Sequence, residues 1–371
     1  MIIELYKVLT TLPTSNAAIK NTASSEYIDG WYPAYSASGQ DVWLSEYRFD
    51  QKAIIVSAVG ARCGKAYKAD GKWNVCANTH SLAVDEHLAD RDYCWYMLNN
   101  ENWWIKGGTA QPFVKVKDSL RRTHAFPPLT RQKEIVNILD TIRIIIEHRK
   151  QQLTEFDNLV KARFVEMFGD MLINDMMWPE IPLEQLADVV SGITKGRKVA
   201  DAELFEVPYM AVSNVKDGYI DWTTVKTILA TQKEIEQYRL LPYDVLMTEG
   251  GDPDKLGRGA VIANPLENSI HQNHIFRVRL QKEKILPAFF SEYLQHQKAK
   301  RYFLGCAKQT TGIASINMTQ LRALPVLTPP MELQKQFIAF IEQTDKSKAV
   351  VQKALDEAQT LFDSLMQQYF G

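Results

Sequence analysis

Residues 127–135 read PPLTRQKEI, and residues 329–337 read PPMELQKQF, 202 positions farther on (329 less 127). Residues 127–169 can be laid over 329–371 without a gap. Both prolines then match, as do Gln132 with Gln334, Lys133 with Lys335, Leu153 with Leu355 and Leu159 with Leu361. Phe168 and Gly169 fall on Phe370 and Gly371. A period near 200 is too long for a solenoid and marks the duplication of a large unit. Proline suits the start of a helix and is excluded from its interior. Neither Pro nor Gly recurs until Gly169 and Gly371, which suit helix ends. Each copy therefore predicts one long helix, a rod of roughly 50 Å at 1.5 Å per residue. A four-three spacing collects Ile135, Leu139, Ile142, Ile146, Arg149, Leu153, Phe156, Val160, Arg163 and Met167 from the first copy. From the second it collects Phe337, Ile341, Thr344, Lys348, Val351, Leu355, Ala358, Phe362, Leu365 and Tyr369. Eight of ten are apolar in each. Such a seam predicts helices packed side by side in coiled-coil fashion. The other arrangement it permits is two amphipathic helices, each lying on its own domain.

The 371 residues suit two or three domains, and 46% apolar content with 8 Trp, 15 Tyr and 15 Phe supports sizeable cores. Apolar runs are far shorter than a membrane span. The opening MIIELYKVLTTLPT lacks the basic and cleavage signals of a secretory leader. Cys63, Cys76, Cys94 and Cys306 show no CxxC spacing, so reduced thiols in a cytoplasm are expected. A net charge of −1 names no partner.

Residues 1–126 and 170–328 read as mixed globules. Strand-like runs are 52–59, 207–212, 243–248, 259–263 and 275–280; short helices are expected near 92–100 and 288–303. The stretches before each PP also rhyme: GGTAQPFVKVKDSLRRTHAFPP against KQTTGIASINMTQLRALPVLTPP. The order is globule, rod, globule, rod.

GARCGKA (60–66) fails as a phosphate loop, with three residues between its glycines and Ala after Lys; it reads as a turn. GGDPDKLGRG (250–259) is either a hairpin loop or a loop letting backbone approach a ligand, with Lys255 and Arg258 supplying charge. HQNH (271–274) places its histidines on opposite faces of a strand, against a metal site. It is either a cluster of amides able to read base edges or a polar strand end. Spacing supports no nucleophile triad, and NPLE (264–267) is not a methyltransferase motif, which argues against an enzyme. Charges nearly balance, at 14 basic against 13 acidic in 1–126 and 18 against 18 in 171–328. Residues 52–72 and 261–328 are locally basic, which suits either phosphate neutralisation or a solvated face.

These phrases, with VPYMAVSNVKDGYID (207–221), YDVLMTEGGDPDKLGRGAVI (243–262), IHQNHIFRV (270–278), WYPAYSASG (31–39) and the doubled PP…Q helix start, resemble the specificity (S) subunit of type I restriction–modification systems. The resemblance covers almost the whole chain. It implies an α+β fold: two mixed α/β target-recognition domains separated by two long antiparallel coiled-coil helices, with pseudo-two-fold symmetry. The segments are 1–126 (first recognition domain), 127–169 (central helix), 170–328 (second recognition domain) and 329–371 (C-terminal helix). It further implies a non-catalytic DNA reader, each domain taking one half of a bipartite double-stranded DNA site and the helices setting the spacer. The implied partners are two modification (methyltransferase) subunits and, for cleavage of foreign DNA, restriction/motor subunits. No cofactor belongs to this chain; S-adenosylmethionine belongs to the methyltransferase, whose complex would modify adenine at N6. The implied location is the cytoplasm of a prokaryotic cell. The alternatives are a stand-alone DNA-modifying enzyme and a scaffold that reads nothing. The first globule opens only with MIIELYKVL where the second has MWPEIPLEQLADVV, so its edge is either shortened or completed by the C-terminal helix end.

Polar side chains beside basic ones are the expected DNA contacts. In the first globule these are Tyr35, Ser36, Ser38, Arg62, Lys65, Lys68 and Gln111. In the second they are Lys195, Arg197, Ser213, Asn214, Lys255, Arg258, Gln272, Asn273, Lys308, Thr310 and Thr311. No residue is expected to be catalytic or to hold a metal.

Overall fold

A computed structural model describes residues 2–13, 23–198, 203–252, 255–310 and 313–371. Both long helices form as the proline and glycine punctuation predicts. They run Leu129–Phe168 and Met331–Phe370, each 40 residues long. Gly169 stops the first with φ +75°, a conformation that glycine reaches without strain. All twenty seam positions are buried or half-buried. The chain divides into two compact units, one of residues 1–151 with 351–371 and one of 152–350. Each unit takes half of each long helix, so the boundaries cross the four segments expected from sequence. The reason lies in the packing. Ile135, Val136 and Leu139 join the core of the first unit together with Phe362, Leu365, Met366, Tyr369 and Phe370. Val160, Phe164 and Phe168 join the core of the second together with Phe337, Phe340 and Ile341. Within each unit the early half of one helix therefore meets the late half of the other.

The duplication is written into the sheets. In the first unit the four-stranded core sheet has the order Leu9–Thr11, Thr79–Val84, Ala53–Ser57, Ala66–Ala69. In the second it has the order Ala187–Ser191, Ile275–Leu280, Asp244–Thr248, Gly259–Ile262. All pairs are antiparallel, and Leu82↔Ile54 finds its match in Val278↔Val245. The apolar runs at 53–57 and 244–248 are buried at every position, which is why they read as continuous rather than alternating.

A second layer repeats as well. Tyr32–Ser36 pairs antiparallel with Gly39–Leu44 and parallel with Lys72–Val75. Leu204–Met210 pairs antiparallel with Lys226–Thr231 and parallel with Ile270–His271. The rhymed stretches each form a hairpin, a one-turn helix and an edge strand. These are Lys106–Gly107 with Phe113–Val114, Val116–Leu120 and Thr123–Ala125. Their counterparts are Lys308–Thr310 with Ile313–Ser315, Met318–Arg322 and Pro325–Leu327.

Matched elements drift in spacing along the chain. The starts at Ile2 and Glu180, Ala53 and Asp244, Arg91 and Pro287, Val116 and Met318 lie 178, 191, 196 and 202 residues apart (180 − 2, 244 − 53, 287 − 91, 318 − 116).

The first globule opens with the same elements as the second. Ile2–Glu4, a 3-10 turn at Leu5–Lys7 and Leu9–Thr11 repeat the arrangement of Glu180–Pro182, Leu183–Gln185 and Ala187–Ser191. Leu5 N donates to Arg122 O at 2.9 Å, as Leu183 N does to Leu324 O at 3.0 Å. The C-terminal helix end also packs here, with the Phe370 ring 4.9 Å from Tyr93; in the second unit Phe168 sits 4.8 Å from Phe289. The helical stretch near 288–303 is two helices, Pro287–Gln295 and Gln297–Cys306. His296 adopts extended backbone between them, and its Nδ1 accepts from Lys298 N at 3.3 Å, ending one helix and capping the next.

Candidate nucleic-acid interface

The loops that leave the core strands at one end gather in each unit. In the first, Ala53–Ser57 runs into the GARCGK loop, where Gly64 (φ +94°) has no room for a side chain: a Cβ would meet Trp104 Cδ1 at 2.8 Å. Arg62 Nη1 donates to Ser38 O at 2.9 Å, tying this loop to the turn between Tyr32–Ser36 and Gly39–Leu44. Gly60 N donates to Pro112 O at 3.0 Å, and Val59 bridges Phe113, which brings in the hairpin carrying Gln111. Asn78 O accepts from Ala58 N at 2.9 Å and adds the turn at 76–78. Ser38, Arg62, Lys65 and Gln111 are exposed around this junction.

The second unit builds the same junction. Gln272 Oε1 accepts from Val212 N at 3.4 Å, which links the 272–274 turn to the turn that carries exposed Ser213. Ile193 N donates to His271 O, and Asn273 N donates to Ile193 O, both at 3.0 Å, which adds the loop carrying exposed Lys195. His274 Nδ1 lies 2.6 Å from Glu249 Oε2. Glu249 O accepts from Ile316 N, and Gly250–Gly251 pairs with Ile313–Ser315. The glycine-rich loop and the hairpin carrying exposed Lys308 thus join the cluster. That loop connects two antiparallel strands, and the backbone approaching Gly250 is the hairpin's own: a Cβ there would meet Ala314 O at 2.8 Å.

Several expected contacts are held by the fold instead. Tyr35 is buried and its hydroxyl donates to Lys68 O at 2.9 Å. Ser36 Oγ donates to Asp41 at 2.7 Å inside its turn. Lys68 pairs with Asp92 at 3.0 Å and lies 4.4 Å over the Trp95 ring, against a core helix. Asn214 is buried, donating to Asp221 O and Thr224 O, each at 2.9 Å. Arg197 forms a two-pronged pair with Glu234 at 2.5 and 2.6 Å, which holds that carboxyl down to about 2, chiefly by this hydrogen bonding. Lys255 pairs with Asp252. Arg258 is half-buried, and its Nε has no hydrogen-bond partner among the described residues. Thr310 lies in the strand Lys308–Thr310; Thr311 lies outside the described residues. The fold thus already engages Tyr35, Ser36, Lys68, Asn214 and Arg197, which the sequence reading expected at the DNA. Tyr35, Lys68 and Arg197 are engaged by partners far along the chain, and Ser36 and Asn214 by partners in their own turns.

Sequence reading missed Asn78, exposed with φ +66°. It stands in the first unit where His274 stands in the second. Each residue's carbonyl accepts the amide of the residue that leaves the core strand, Ala58 or Glu249. The helix register of 202 would have set His274 on Lys72, so the 196-residue spacing of this pair (274 − 78) was hidden by the drift between the copies. The two histidines of HQNH part company. His271 is buried, with Nδ1 3.1 Å from Ile275 O, and burial, aided by Arg277, pushes its pKa down to about 4. His274 is exposed. Among the described residues no helix is long and apolar enough to cross a membrane.

A family model described as type I restriction modification DNA specificity domain matches residues 17–155 and 177–359. The chain is 26% identical over 197 residues to the type I restriction enzyme MjaX specificity subunit of Methanocaldococcus jannaschii, covering 52% of this chain and 46% of that protein. It is 22% identical over 254 residues to the EcoKI specificity subunit of Escherichia coli, covering 65% and 54%. The chain spans about half the length of these two curated relatives. Among solved structures, the S subunit of a type I restriction–modification system from M. genitalium has the same fold. It superposes with a TM-score of 0.59 at 14% identity, over 100% of this chain and 96% of that one. With a family model matched across both globules and both helices, the chain belongs to the type I restriction–modification DNA specificity domain family.

Proposed function

We propose that this chain is the DNA-specificity subunit of a type I restriction–modification complex, reading a bipartite double-stranded target with one loop cluster per half-site. One observation carries the reading: the same loops are built twice on the same strand order, and each junction presents amide, hydroxyl and basic groups together. Basic groups hold phosphates and set register, while amides such as Gln272 and Asn273 suit base edges. In this reading the chain is non-catalytic and holds no cofactor. S-adenosylmethionine enters with two modification subunits docked on the long helices, restriction/motor subunits join for cleavage, and the complex works on DNA in the cytoplasm.

The test is to map methylated adenines in DNA from cells carrying this chain with its modification partner, or either alone. A split motif that appears only with both is expected. Exchanging the loops of one unit should change one half of the motif and leave the other half intact. Methyl transfer from labelled S-adenosylmethionine by the purified chain alone would overturn the reading in favour of an enzyme. A complex that binds all DNA sequences equally would reduce the chain to a scaffold.

A further inference from the structure

The two repeats solve one buried place differently. In the first unit, Trp95 and Tyr96 on the helix Arg91–Leu98 are 9% and 2% exposed. The Tyr96 hydroxyl donates to Asp140 Oδ1 at 2.6 Å, and its ring lies 6.3 Å from Phe362. In the matching helix Pro287–Gln295 the same register holds Ser291 and Glu292, and Val160 stands where the first unit has Phe362. Smaller side chains leave a solvent-open pocket of about 590 Å³ at the surface of the second unit. A neighbouring cavity of about 180 Å³ shares Glu292 and is bounded by Phe164.

The lining says what would fill it. Four acids, Asp157, Asp217, Glu292 and Asp345, stand against two lysines, Lys161 and Lys348. Asp157 and Asp345 share Lys348 at 2.7 and 3.8 Å, and Asp217 pairs with Lys300 at 3.3 Å. Glu292 has no ion pair among the described residues, and burial holds its carboxyl above the ordinary value although Lys348 and Lys161 pull it down. Ser291 is 6% exposed, lines the pocket, and its Oγ makes no hydrogen bond among the described residues. A half-buried carboxylate without an ion pair gains from a donor that reaches it.

We propose that this pocket binds a guanidinium or alkylammonium group, with Glu292 as its counter-ion and Ser291 Oγ as an acceptor. The group belongs either to a small free cation or to an Arg or Lys side chain of a partner protein. The proposal stands apart from the DNA reading, since none of these side chains belongs to the loop clusters.

The full chain is titrated calorimetrically with agmatine, with N-acetyl-arginine amide, and with N-acetyl-citrulline amide as the neutral control. Saturable binding of at least one cation is expected, with the neutral control much weaker. Tighter agmatine assigns the site to a free cation, and tighter arginine amide assigns it to a side chain. Glu292→Gln should weaken binding about tenfold or more. Ser291→Trp, which installs the first unit's own filler, should abolish it. Unfolding midpoints of both variants show whether the fold survives, and if Glu292→Gln does not fold, Ser291→Trp decides. No saturable binding to the wild-type chain, or Glu292→Gln binding as tightly as wild type, overturns the proposal. So does undiminished binding by Ser291→Trp.

Discussion

Gln132 and Gln334 carry the repeat at the scale of a single side chain. Gln132 Nε2 donates to Pro127 O and its Oε1 accepts from Asp90 N, both at 2.8 Å. Gln334 Nε2 donates to Pro329 O at 2.8 Å, and its Oε1 accepts from Leu286 N at 2.9 Å. Both are fully buried. Each amide thus stitches the proline-led start of a long helix to the N-cap of a core helix. Replacing Gln334 with Ala leaves buried partners on both sides, at about 1–3 kcal/mol each. Urea unfolding of Gln334→Ala should show a loss of that order, and a loss below about 0.5 kcal/mol would refute the clamp. His271 sets a pH window. Its folded value of about 4 lies below the ordinary 6.5, so the unfolded chain binds the proton first as pH falls. The stabilisation from His271 is full above 6.5 and disappears toward 4; His271→Gln should lessen the fall of unfolding midpoints across that interval, with half-buried His80, His124 and His296 leaving the remainder. On the DNA side, Lys65→Ala should reduce the salt slope of binding by about one without changing the preferred sequence. Gln272→Ala should relax preference at one base pair, by about 1–3 kcal/mol. Residue chemistry was legible in the sequence, but partnership was not. Tyr35 and Lys68 are 33 residues apart, and Arg197 and Glu234 are 37 apart. No local pattern reveals that such groups are already engaged.

The long helices were legible almost to the residue because their signals are local. Proline pairs start them, glycines stop them, and the four-three spacing names the face that turns from solvent. Phe337 is the test of that face. It is fully buried, with its ring 5.3 Å from Phe164 and 5.4 Å from Phe168. Phe337→Ala should cost roughly 3–5 kcal/mol. Ile144, off the seam and 52% exposed, should lose no more than about 0.5 kcal/mol as Ala. Thermal unfolding of the two variants side by side checks the contrast. The break at His296 was hidden because LQHQKAK carries no proline or glycine; the stop comes from a ring nitrogen capping the next helix. The parallel pairing of the second layer, Ala34 with Asn74 and Tyr209 with Ile270, was also invisible. Strand partners so far apart leave no trace in spacing.

For the molecule as a whole, the two units differ in how the chain supplies them. The second is one continuous stretch, 152–350, whereas the first joins 1–151 to 351–371. The last stretch gives the first unit Phe362, Leu365, Met366, Tyr369 and Phe370. A fragment of residues 152–350 should therefore unfold cooperatively by itself. A fragment of 1–151 should exchange its amide hydrogens rapidly until a 351–371 peptide is added, when protection of Tyr93 and Leu139 should return. Equal protection with and without the peptide would show that the last stretch is dispensable to that core.

The uneven spacing of the matched elements has a consequence for heredity. Between those four pairs the interval grows by 13, 5 and 6 residues (191 − 178, 196 − 191, 202 − 196), and it then stays fixed through both long helices. These three changes fall between the starts of matched framework elements, in stretches that include the clustered loops. A lineage can therefore rewrite the loops of either copy by insertion or deletion, while the two long helices keep one register.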